Sequence, residues 1–288
     1  MPELPEVETI ARQLRRLVVG RRIADFESYW HRLTEPMPPA HVAARLAGRR
    51  IASVGRRGKF VVLELDSAEA LIVSLRMTGK LLFRTGDAPD DPHTRALLRF
   101  RDGTLLRFAD TRKFGRMAIV ALDELREKAP ARGAAKMPLH RALGIEPLSR
   151  RFTASWLAEL FRHRPRAAIK PLLLDQRAIA GIGNIYAIEA LWRARIHPSR
   201  AAGSLRPAEA ARLHEAIRWV LRKGIRFGGA SRRDYRDARG NAGRMQREFN
   251  AYDRAGEPCP RCGRAIVRTV VGGRGTFHCP RCQRAPAS

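Results

Sequence analysis

The sequence begins with MPELPEVET, residues 1–9, and this stretch leads directly into an apolar periodicity. From Val7 onward apolar residues recur at spacings of three and four, which places them on one face of a helix. Gly20 follows the last of them and ends the pattern. The sequence therefore predicts one long helix, from about Val7 to Val19, at the start of the N-terminal domain.

The same stretch carries a candidate catalytic pair. Pro2 is small, so we expect Met1 to be removed, which leaves Pro2 with a free secondary amine. An α-amino group titrates near ~8, against ~10.4 for lysine, so more of it is nucleophilic at neutral pH. Such an amine can attack carbon and form an iminium, and Glu3 beside it can act as general acid or base. Taken alone, a proline and a glutamate near a start are also common without any catalytic role.

Short apolar runs rich in β-formers follow the helix, and turn residues separate them. We place strands at Arg22–Tyr29, Arg50–Val54, Lys59–Leu65, Ala70–Leu75, Lys80–Arg84, Arg95–Phe100, Thr104–Phe108 and Arg116–Ala121. Eight short strands predict a β-sandwich or barrel. The fold class is therefore α+β and multidomain, with an N-terminal β-sandwich that carries one long helix.

Helical patterns occupy the next part of the chain, after an Ala-, Arg-, Gly- and Pro-rich linker. Thr153 is placed to cap the first helix, and a second begins near Ile169. A third runs from about Asn184 to Ala194 and a fourth from about Pro207 to Gly224. The segment 227–243 is rich in glycine and arginine, and we interpret it as a mobile loop.

The formal net charge is +28, from 56 Lys and Arg against 28 Asp and Glu. This excess indicates a polyanionic partner, and arginine suits phosphate through its planar fork. A membrane surface is the weaker alternative, because no long basic amphipathic helix is present. No run of 18 apolar residues occurs and no basic segment precedes an apolar one at the start, so we expect no membrane span, no signal peptide and a cytoplasmic protein.

All four cysteines lie in the last thirty residues, as CPRC at 259–262 and CPRC at 279–282. Two such pairs close a tetrahedral site of four thiolates, so Cys259, Cys262, Cys279 and Cys282 predict one structural Zn²⁺ instead of disulfides. Two strands, Ala265–Val271 and Thr276–Cys279, are expected between the pairs, with Arg274 at the tip of the hairpin. Arg274 is either an ordinary solvated arginine or a phosphate ligand.

Two further motifs are candidates for nucleic-acid contact. GIGNIY at 181–186 precedes a helix, where Asn184 either caps the helix or donates to a phosphate. DTRKFG at 110–115 places Phe114 beside two cations, and an exposed Met77 lies in an earlier turn. Phenylalanine is usually core, but an apolar wedge with an arginine suits an enzyme that flips a base out of DNA.

Together these segments resemble the formamidopyrimidine-DNA glycosylase family over nearly the whole chain. The resemblance implies a bifunctional glycosylase and abasic-site lyase for oxidised purines in double-stranded DNA, acting as a monomer. It implies catalytic roles for Pro2, Glu3, Lys59 and Arg274. It also implies DNA contacts by His93, Arg112, Arg166, Lys170, Asn184 and Arg274, with Met77, Arg112 and Phe114 filling the space left by the flipped base.

The domains implied are a catalytic β-sandwich at 1–127, a linker at 128–150, a helix-two-turns-helix domain at 151–249 and a zinc finger at 250–288. The loop 227–243 would close over the damaged base. Ser74 and Arg95 stand where many relatives have histidine, which puts one phosphate contact each in question.

Two alternatives differ at particular residues. A non-catalytic zinc-containing DNA-binding protein would have no use for the Pro2-Glu3 pair. An endonuclease VIII-like enzyme for oxidised pyrimidines usually carries glycine where Leu4 stands and lacks the Arg112-x-Phe114 pair, so both features favour the purine branch.

Overall fold

The computed structural model describes residues 2–86, 89, 91–125, 140 and 142–285. The chain forms two compact units, one from Met1–Arg126 with Ile225–Gln246 and one from Glu127–Gly224 with Arg247–Ser288. Most of the predicted linker, 128–150, lies outside the described residues, so the domain boundaries stay a prediction. No helix of the described part is both long enough and apolar enough to cross a membrane.

The first unit is built from helix α1, Leu4–Val18, and two four-stranded antiparallel sheets. One sheet has the order β1-β6-β7-β5 and the other β2-β3-β4-β8. The eight strands are β1 Ile23–Ser28, β2 Ile51–Arg57, β3 Phe60–Leu65, β4 Glu69–Ser74, β5 Lys80–Thr85, β6 Thr94–Phe100, β7 Thr104–Ala109 and β8 Arg116–Ala121. The predicted α+β fold with an N-terminal sandwich is confirmed, and all eight predicted strands are present.

The apolar face of α1 and the inward residues of both sheets form one core. Ile10 and Leu14 of α1 are fully buried in it, as the spacing of the apolar residues predicted. The returning segment Ile225–Gln246 adds Tyr235 and Ala238 to this same core. Residues more than a hundred positions apart in sequence therefore complete the first unit together.

Helix α2, Pro39–Leu46, was not predicted. Prolines precede and begin this helix, and its helical periodicity rests on only two buried apolar residues, Val42 and Leu46, so the sequence carried little helical signal. Because those two residues are four positions apart, they share one face and are fully buried.

The second unit contains α3 Ala154–His163, α4 Ile169–Leu174, α5 Asn184–Ala194 and most of α6, Pro207–Arg226. The Oγ1 atom of Thr153 accepts from the amide of Trp156 at 3.1 Å, so the predicted cap of α3 is confirmed. The unit ends in the hairpin β9 Val267–Val271 and β10 Arg274–His278.

Candidate functional site

Pro2 and Glu3 lie directly before α1, and both are buried. The carboxylate of Glu6, in the first turn of the helix, accepts from the amide of Glu3 at 2.8 Å. This contact satisfies a donor that a helix N-terminus otherwise leaves without a partner. The first turn of α1 therefore fixes the backbone of the candidate catalytic pair, while Met1 lies outside the described residues.

Lys59 lies in a two-residue turn with Gly58 that joins β2 to β3, one residue before the strand in which it was predicted. Arg56 donates to the Gly58 carbonyl at 2.9 Å and to the Glu8 carboxylate of α1 at 3.1 Å. Burial opposes ionisation of Glu8, but hydrogen bonds and charge from Arg12 and Arg56 outweigh it and lower the Glu8 pKa. This ion pair connects the Lys59 turn to α1, four residues after the start of the helix.

The three residues predicted to fill the space of a flipped base are brought together on the surface of the first unit. Met77 and Phe114 are 43% and 48% exposed, which is unusual for apolar side chains of this size. Arg112 lies between them: its Nη1 is 3.6 Å from Sδ of Met77, and its Cζ is 4.8 Å from the Phe114 ring centroid. We call Met77, Arg112 and Phe114 the wedge group.

The segment 227–243 is anchored on the first unit at several points. The Ala230 amide donates to the Glu6 carboxylate at 2.7 Å, and the buried Tyr235 hydroxyl donates to the Glu6 carbonyl at 3.3 Å. Farther along, Asp237 accepts from Gln13 Nε2 at 2.8 Å. Between these anchors Arg232, Arg233 and Asp234 are exposed. Closure of this segment over a damaged base stays a prediction, and residues 232–234 are its longest continuous exposed stretch.

In the second unit Asn184 and Arg274 come close together. Asn184 begins α5 as predicted, but it does not cap the helix, and Arg274 is not at the tip of its hairpin. Gly183 is the N-cap of α5, and Asn184 is its first residue, so the capping interpretation of Asn184 is wrong. The Asn184 Nδ2 donates instead to the Gly275 carbonyl at 3.0 Å, next to Arg274. The start of α5 is thus tied to the hairpin that carries this arginine.

Arg274 is the first residue of β10 and not the tip of the hairpin. Gly272 and Gly273 have φ values of 59° and 70°, which allows a tight two-residue turn of the kind that matches strand twist. The pairing of Arg274 with Val271 follows from this turn. The Arg274 side chain remains exposed, as a group that contacts phosphate requires.

The remaining candidate DNA contacts differ in exposure. His93 and Arg166 are exposed, whereas Lys170 is fully buried in α4. A Cβ atom on Gly272 would lie 2.7 Å from Cγ of Pro171, so the hairpin turn packs against the residue that follows Lys170. Of these three candidates, Lys170 is therefore the one whose side chain is not exposed at the surface.

The four cysteines form one cluster, in which all sulfur atoms lie within 4.8 Å of one another. Zn–S bonds of about 2.3 Å in a tetrahedron place sulfur atoms about 3.8 Å apart, so this donor set fits one structural Zn²⁺. Cys259 and Cys279 also belong to an apolar cluster with Ile188 and Trp192 of α5. The carboxylate of Glu189, on the same helix, accepts the backbone amides of residues 250–252 at distances from 2.8 to 3.1 Å. Four thiolate ligands leave no open position, so the zinc is structural.

Ser74 and Arg95, the two departures from the usual histidines, are both engaged within the protein. Ser74 is buried in β4. Arg95 donates to the Asp110 carbonyl at 2.9 Å and to the carbonyls of Pro92 and Thr94 at 3.3 and 3.2 Å. A guanidinium committed to three carbonyl groups is a poor substitute for a phosphate contact.

Glu6, Thr78 and Asp110 were not identified from the sequence. Glu6 holds the backbone of the Pro2-Glu3 segment, and Thr78 and Asp110 hold the backbone of the wedge group. Asp110 was visible as the first residue of the DTRKFG motif, directly after a strand, where aspartate commonly accepts amides of its own turn. Its bond with Thr78 joins residues that are 32 positions apart, and no sequence signal identifies that pairing.

Comparison with known proteins gives one consistent result. A model of the formamidopyrimidine-DNA glycosylase N-terminal domain matches residues 1–117, one of the H2TH domain of this enzyme matches 143–236, and one of a zinc finger found in FPG and IleRS matches 256–285. Formamidopyrimidine-DNA glycosylase of Roseiflexus sp. (strain RS-1) is 50% identical over 285 residues, covering 99% of this chain and all of the relative. That of Chloroflexus aggregans is 49% identical and covers 98% of each chain.

Solved structures agree with these matches. Wild-type Lactococcus lactis Fpg in complex with DNA containing N7-benzyl-Fapy-dG has a TM-score of 0.87 and 37% identity, over 99% of this chain and all of that one. The same enzyme with abasic-site DNA gives a TM-score of 0.87 over 98% of this chain. Family models, full-length relatives and solved structures coincide along the whole chain, and the protein belongs to the formamidopyrimidine-DNA glycosylase family.

Proposed function

We propose that this protein removes oxidised purines, including 8-oxoguanine and formamidopyrimidines, from double-stranded DNA and then cleaves the abasic strand. The observation that carries the proposal is the exposed wedge group on a chain whose full length matches this family. The +28 net charge supports a polyanionic substrate. Because that substrate is the DNA of the cell, we place the enzyme in the bacterial cytoplasm, at the nucleoid, as a monomer.

In this proposal the amine of Pro2 attacks C1′ of the damaged nucleotide. The glycosidic bond breaks, the base leaves with its electron pair and takes up a proton, and the amine loses its own proton, which leaves a neutral N,O-acetal at C1′. The C1′–O4′ bond then breaks as the sugar ring opens, and the nitrogen lone pair forms the iminium. Glu3 supplies the proton for opening of the sugar ring. The position of both residues ahead of α1, held through Glu6, supports this assignment because it orients the amine and the carboxyl group from one rigid element.

Strand cleavage completes the proposed reaction. Removal of a C2′ proton from the iminium expels the 3′ phosphate in β-elimination, and a second elimination expels the 5′ phosphate. Lys59 is proposed to assist the first elimination and Arg274 the second. The connection of the Lys59 turn to α1 through Arg56 and Glu8 supports the first of these roles.

DNA binding is assigned to both units. In the first, His93 contacts phosphate and the wedge group replaces the extruded base, because apolar side chains offset part of the cost of unstacking. In the second, Arg166, Lys170, Asn184 and Arg274 bind the strand. Asn184 acts in part by supporting the hairpin of Arg274, as its contact with the Gly275 carbonyl favours.

Borohydride trapping on a duplex that contains 8-oxoguanine tests the proposal. We expect a reduced protein–DNA adduct, with the DNA mapped to Pro2, and its loss in Pro2→Gly. Glu3→Gln should still bind DNA without releasing the base. An adduct on a lysine, or a folded Pro2→Gly protein that cuts normally, would refute the Pro2 mechanism.

The same assay separates the alternatives. Faster cleavage of an oxidised pyrimidine than of 8-oxoguanine would favour the endonuclease VIII-like branch. Tight binding without any adduct or cleavage would favour a non-catalytic DNA-binding protein.

A further inference from the structure

Asp110 directly follows the last residue of β7 and is buried beneath the wedge group, although its side chain is polar. Its side chain accepts the amide of Gly115 at 2.8 Å on one oxygen. The other oxygen accepts the amide of Arg112 at 3.2 Å and the hydroxyl of Thr78. Asp110 is only 1% exposed, so its contacts with water are replaced by these three donors.

Thr78 makes the contact reciprocal. Its hydroxyl donates to Asp110 and accepts from the amide of Arg112 at 3.1 Å. Thr78 follows Met77 directly, so one turn of the wedge group is joined to the backbone of the other. The amide of Arg112 therefore points at two acceptors, one from each turn, and we call Thr78 and Asp110 the latch.

The two turns also rest on one aromatic ring. A Cβ atom on Gly115 would lie 2.3 Å from Cζ of Phe108, and one on Gly79 would lie 3.0 Å from the same atom. Phe108 itself is fully buried. Because only glycine fits at these positions, the backbones of both turns approach the core more closely than any other residue allows.

Each turn contains a residue with unfavourable backbone geometry. Arg76 has a φ of 51° and Lys113 a φ of 57°, in the left-handed region that costs about 1 kcal/mol or more for such residues. Arg76 directly precedes Met77, and Lys113 lies between Arg112 and Phe114. The surrounding contacts must hold both turns in this geometry, and the latch supplies hydrogen bonds to both.

Asp110 connects a third segment through its own backbone. Its amide donates to the carbonyl of His93 at 2.8 Å, and its carbonyl accepts from Nε of Arg95 at 2.9 Å. A displacement of Asp110 would therefore also move the segment that carries His93, the candidate phosphate contact, together with the wedge group.

We propose that Thr78 and Asp110 are positioning residues that fix Arg112 for recognition of the base opposite the lesion. This inference rests on the proposed function, in which Arg112 faces the orphaned base. An aspartate turn by itself needs only the bond from Asp110 to the Arg112 amide. The hydrogen bond between Thr78 and Asp110 is not part of such a turn. It joins a second turn, that of Met77, whose side chain is exposed and does not pack in the core.

The matched variants are Thr78→Val, which keeps the shape but removes the hydroxyl, and Thr78→Ser, which keeps the hydroxyl. We expect Thr78→Val to reduce the ratio of single-turnover rates on 8-oxoguanine opposite cytosine and opposite adenine by about 5-fold, the usual effect of one hydrogen bond. Thr78→Ser should restore the ratio. A general loss of folded protein would lower both rates equally and leave the ratio unchanged.

Two further measurements show whether the effect passes through Arg112. In an Arg112→Ala background, Thr78→Val should cause no further change in the ratio. Amide hydrogen exchange at Arg112 should be faster in Thr78→Val than in Thr78→Ser, and this readout needs no activity. Asp110→Asn, which puts a donor where one of these amides needs an acceptor, should act in the same direction.

A wild-type ratio in Thr78→Val with unchanged exchange at Arg112 would overturn the latch. An equal reduction in the Arg112→Ala background would overturn its action through Arg112. An inactive wild-type protein would instead refute the proposed function, so the two failures are distinguishable.

Discussion

The Ala230 amide donates a hydrogen bond of 2.7 Å to the carboxylate of Glu6, whose other oxygen accepts the amide of Glu3 at 2.8 Å. One buried carboxylate thus joins the Pro2-Glu3 segment to the segment 227–243, which is 224 residues away at Ala230. Both donors are backbone groups, so a side chain with a single acceptor cannot satisfy both.

Glu6→Gln is therefore expected to loosen one of the two segments. Leaving a buried amide without an acceptor costs about 1–3 kcal/mol, so the unfolding free energy should fall by that amount. Cleavage by trypsin at the exposed Arg232 and Arg233 should become faster. Glu35→Gln, whose side chain is 51% exposed and lies 3.9 Å from Arg32, is the control and should change neither the stability nor the cleavage rate measurably. Unchanged proteolysis and stability in Glu6→Gln would contradict this link.

The wedge group predicts a preference for the opposite base. Arg112 has donors and no acceptor, so it matches O2 and N3 of cytosine better than adenine. We expect 8-oxoguanine opposite cytosine to be cut much faster than opposite adenine, and Arg112→Ala to narrow the gap by about 10-fold. Single-turnover cleavage of the two duplexes measures this. Equal rates in the wild-type protein would refute the role given to Arg112.

Phe114 is expected to act without regard to the opposite base. Loss of its ring removes apolar contact worth about 1–3 kcal/mol, so Phe114→Ala should slow cleavage of both duplexes by about 10-fold or more and leave their ratio unchanged. Tyr29→Ala removes another exposed aromatic of the first unit, 54% exposed, and is the control. A change in the ratio would mean that Phe114 also reads the opposite base.

Zinc removal should destabilise the C-terminal module of the second unit and leave the first unit folded. The cysteine cluster shares apolar contacts with α5, whereas, among the described residues, those in the core of the first unit all lie outside that module. We expect one zinc per chain by elemental analysis, and we expect chelation to abolish DNA binding while near-ultraviolet signals of the sandwich persist. Metal-free protein with full affinity for DNA would contradict the structural role of the site.

Arg274→Ala should weaken binding of all sequences alike. Each phosphate contact contributes about 0.9 to the slope of log affinity against log salt, so this variant should reduce the slope by about one unit. Arg264→Ala is the matched control, because Arg264 is exposed but lies in the turn beside the cysteines. An unchanged slope in Arg274→Ala would remove this residue from the DNA contacts.

Glu209 gives the second unit a defined sensitivity to acid. Hydrogen bonds from Arg200, at 2.6 and 3.0 Å, and from the Arg206 amide lower the Glu209 pKa from 4.5 to about 2. A lowered carboxyl pKa stabilises the fold fully above 4.5, and this contribution is lost as the pH falls from 4.5 towards 2.

Glu209→Gln should accordingly reduce the unfolding free energy at neutral pH by roughly 1–2 kcal/mol and flatten its decline below pH 4.5. Urea unfolding at several pH values measures both effects. Glu215→Gln, an exposed position of the same helix, is the control. Parallel pH profiles for wild type and Glu209→Gln would contradict the assignment.

The sequence was most informative where local periodicity or spacing carries the signal. Short apolar runs between turn residues identified all eight strands of the first unit, and the two CPRC pairs identified the cluster that the four cysteines form in the structure. Met77 and Phe114 were recognisable as wedge candidates because each lies beside a turn and an arginine. Those features depend on residues close together in sequence, which is why they could be predicted.

Long-range polar contacts could not be predicted in the same way. Nothing local indicates that Glu6 accepts from Ala230 or that Thr78 donates to Asp110, because only the tertiary fold brings these segments together. Arg274 was predicted at the tip of the hairpin but is the first residue of β10. The sequence GGRG is compatible with more than one turn, and the pairing of Arg274 with Val271 determines which one forms. For Asn184 the tertiary contact with Gly275 replaced its local tendency to cap.

The return of residues 225–246 to the first unit has a consequence for biosynthesis. Tyr235 and Ala238 belong to the core formed by α1 and the two sheets, yet they are synthesised after the helices α3 to α6. A ribosome that has released only the first 126 residues has made every strand of the sandwich, but its core still lacks these two side chains. The core of the first unit can therefore be completed only after the helices α3 to α6 have been synthesised, so a nascent chain contains these helices before the segment that holds the Pro2-Glu3 turn through Glu6.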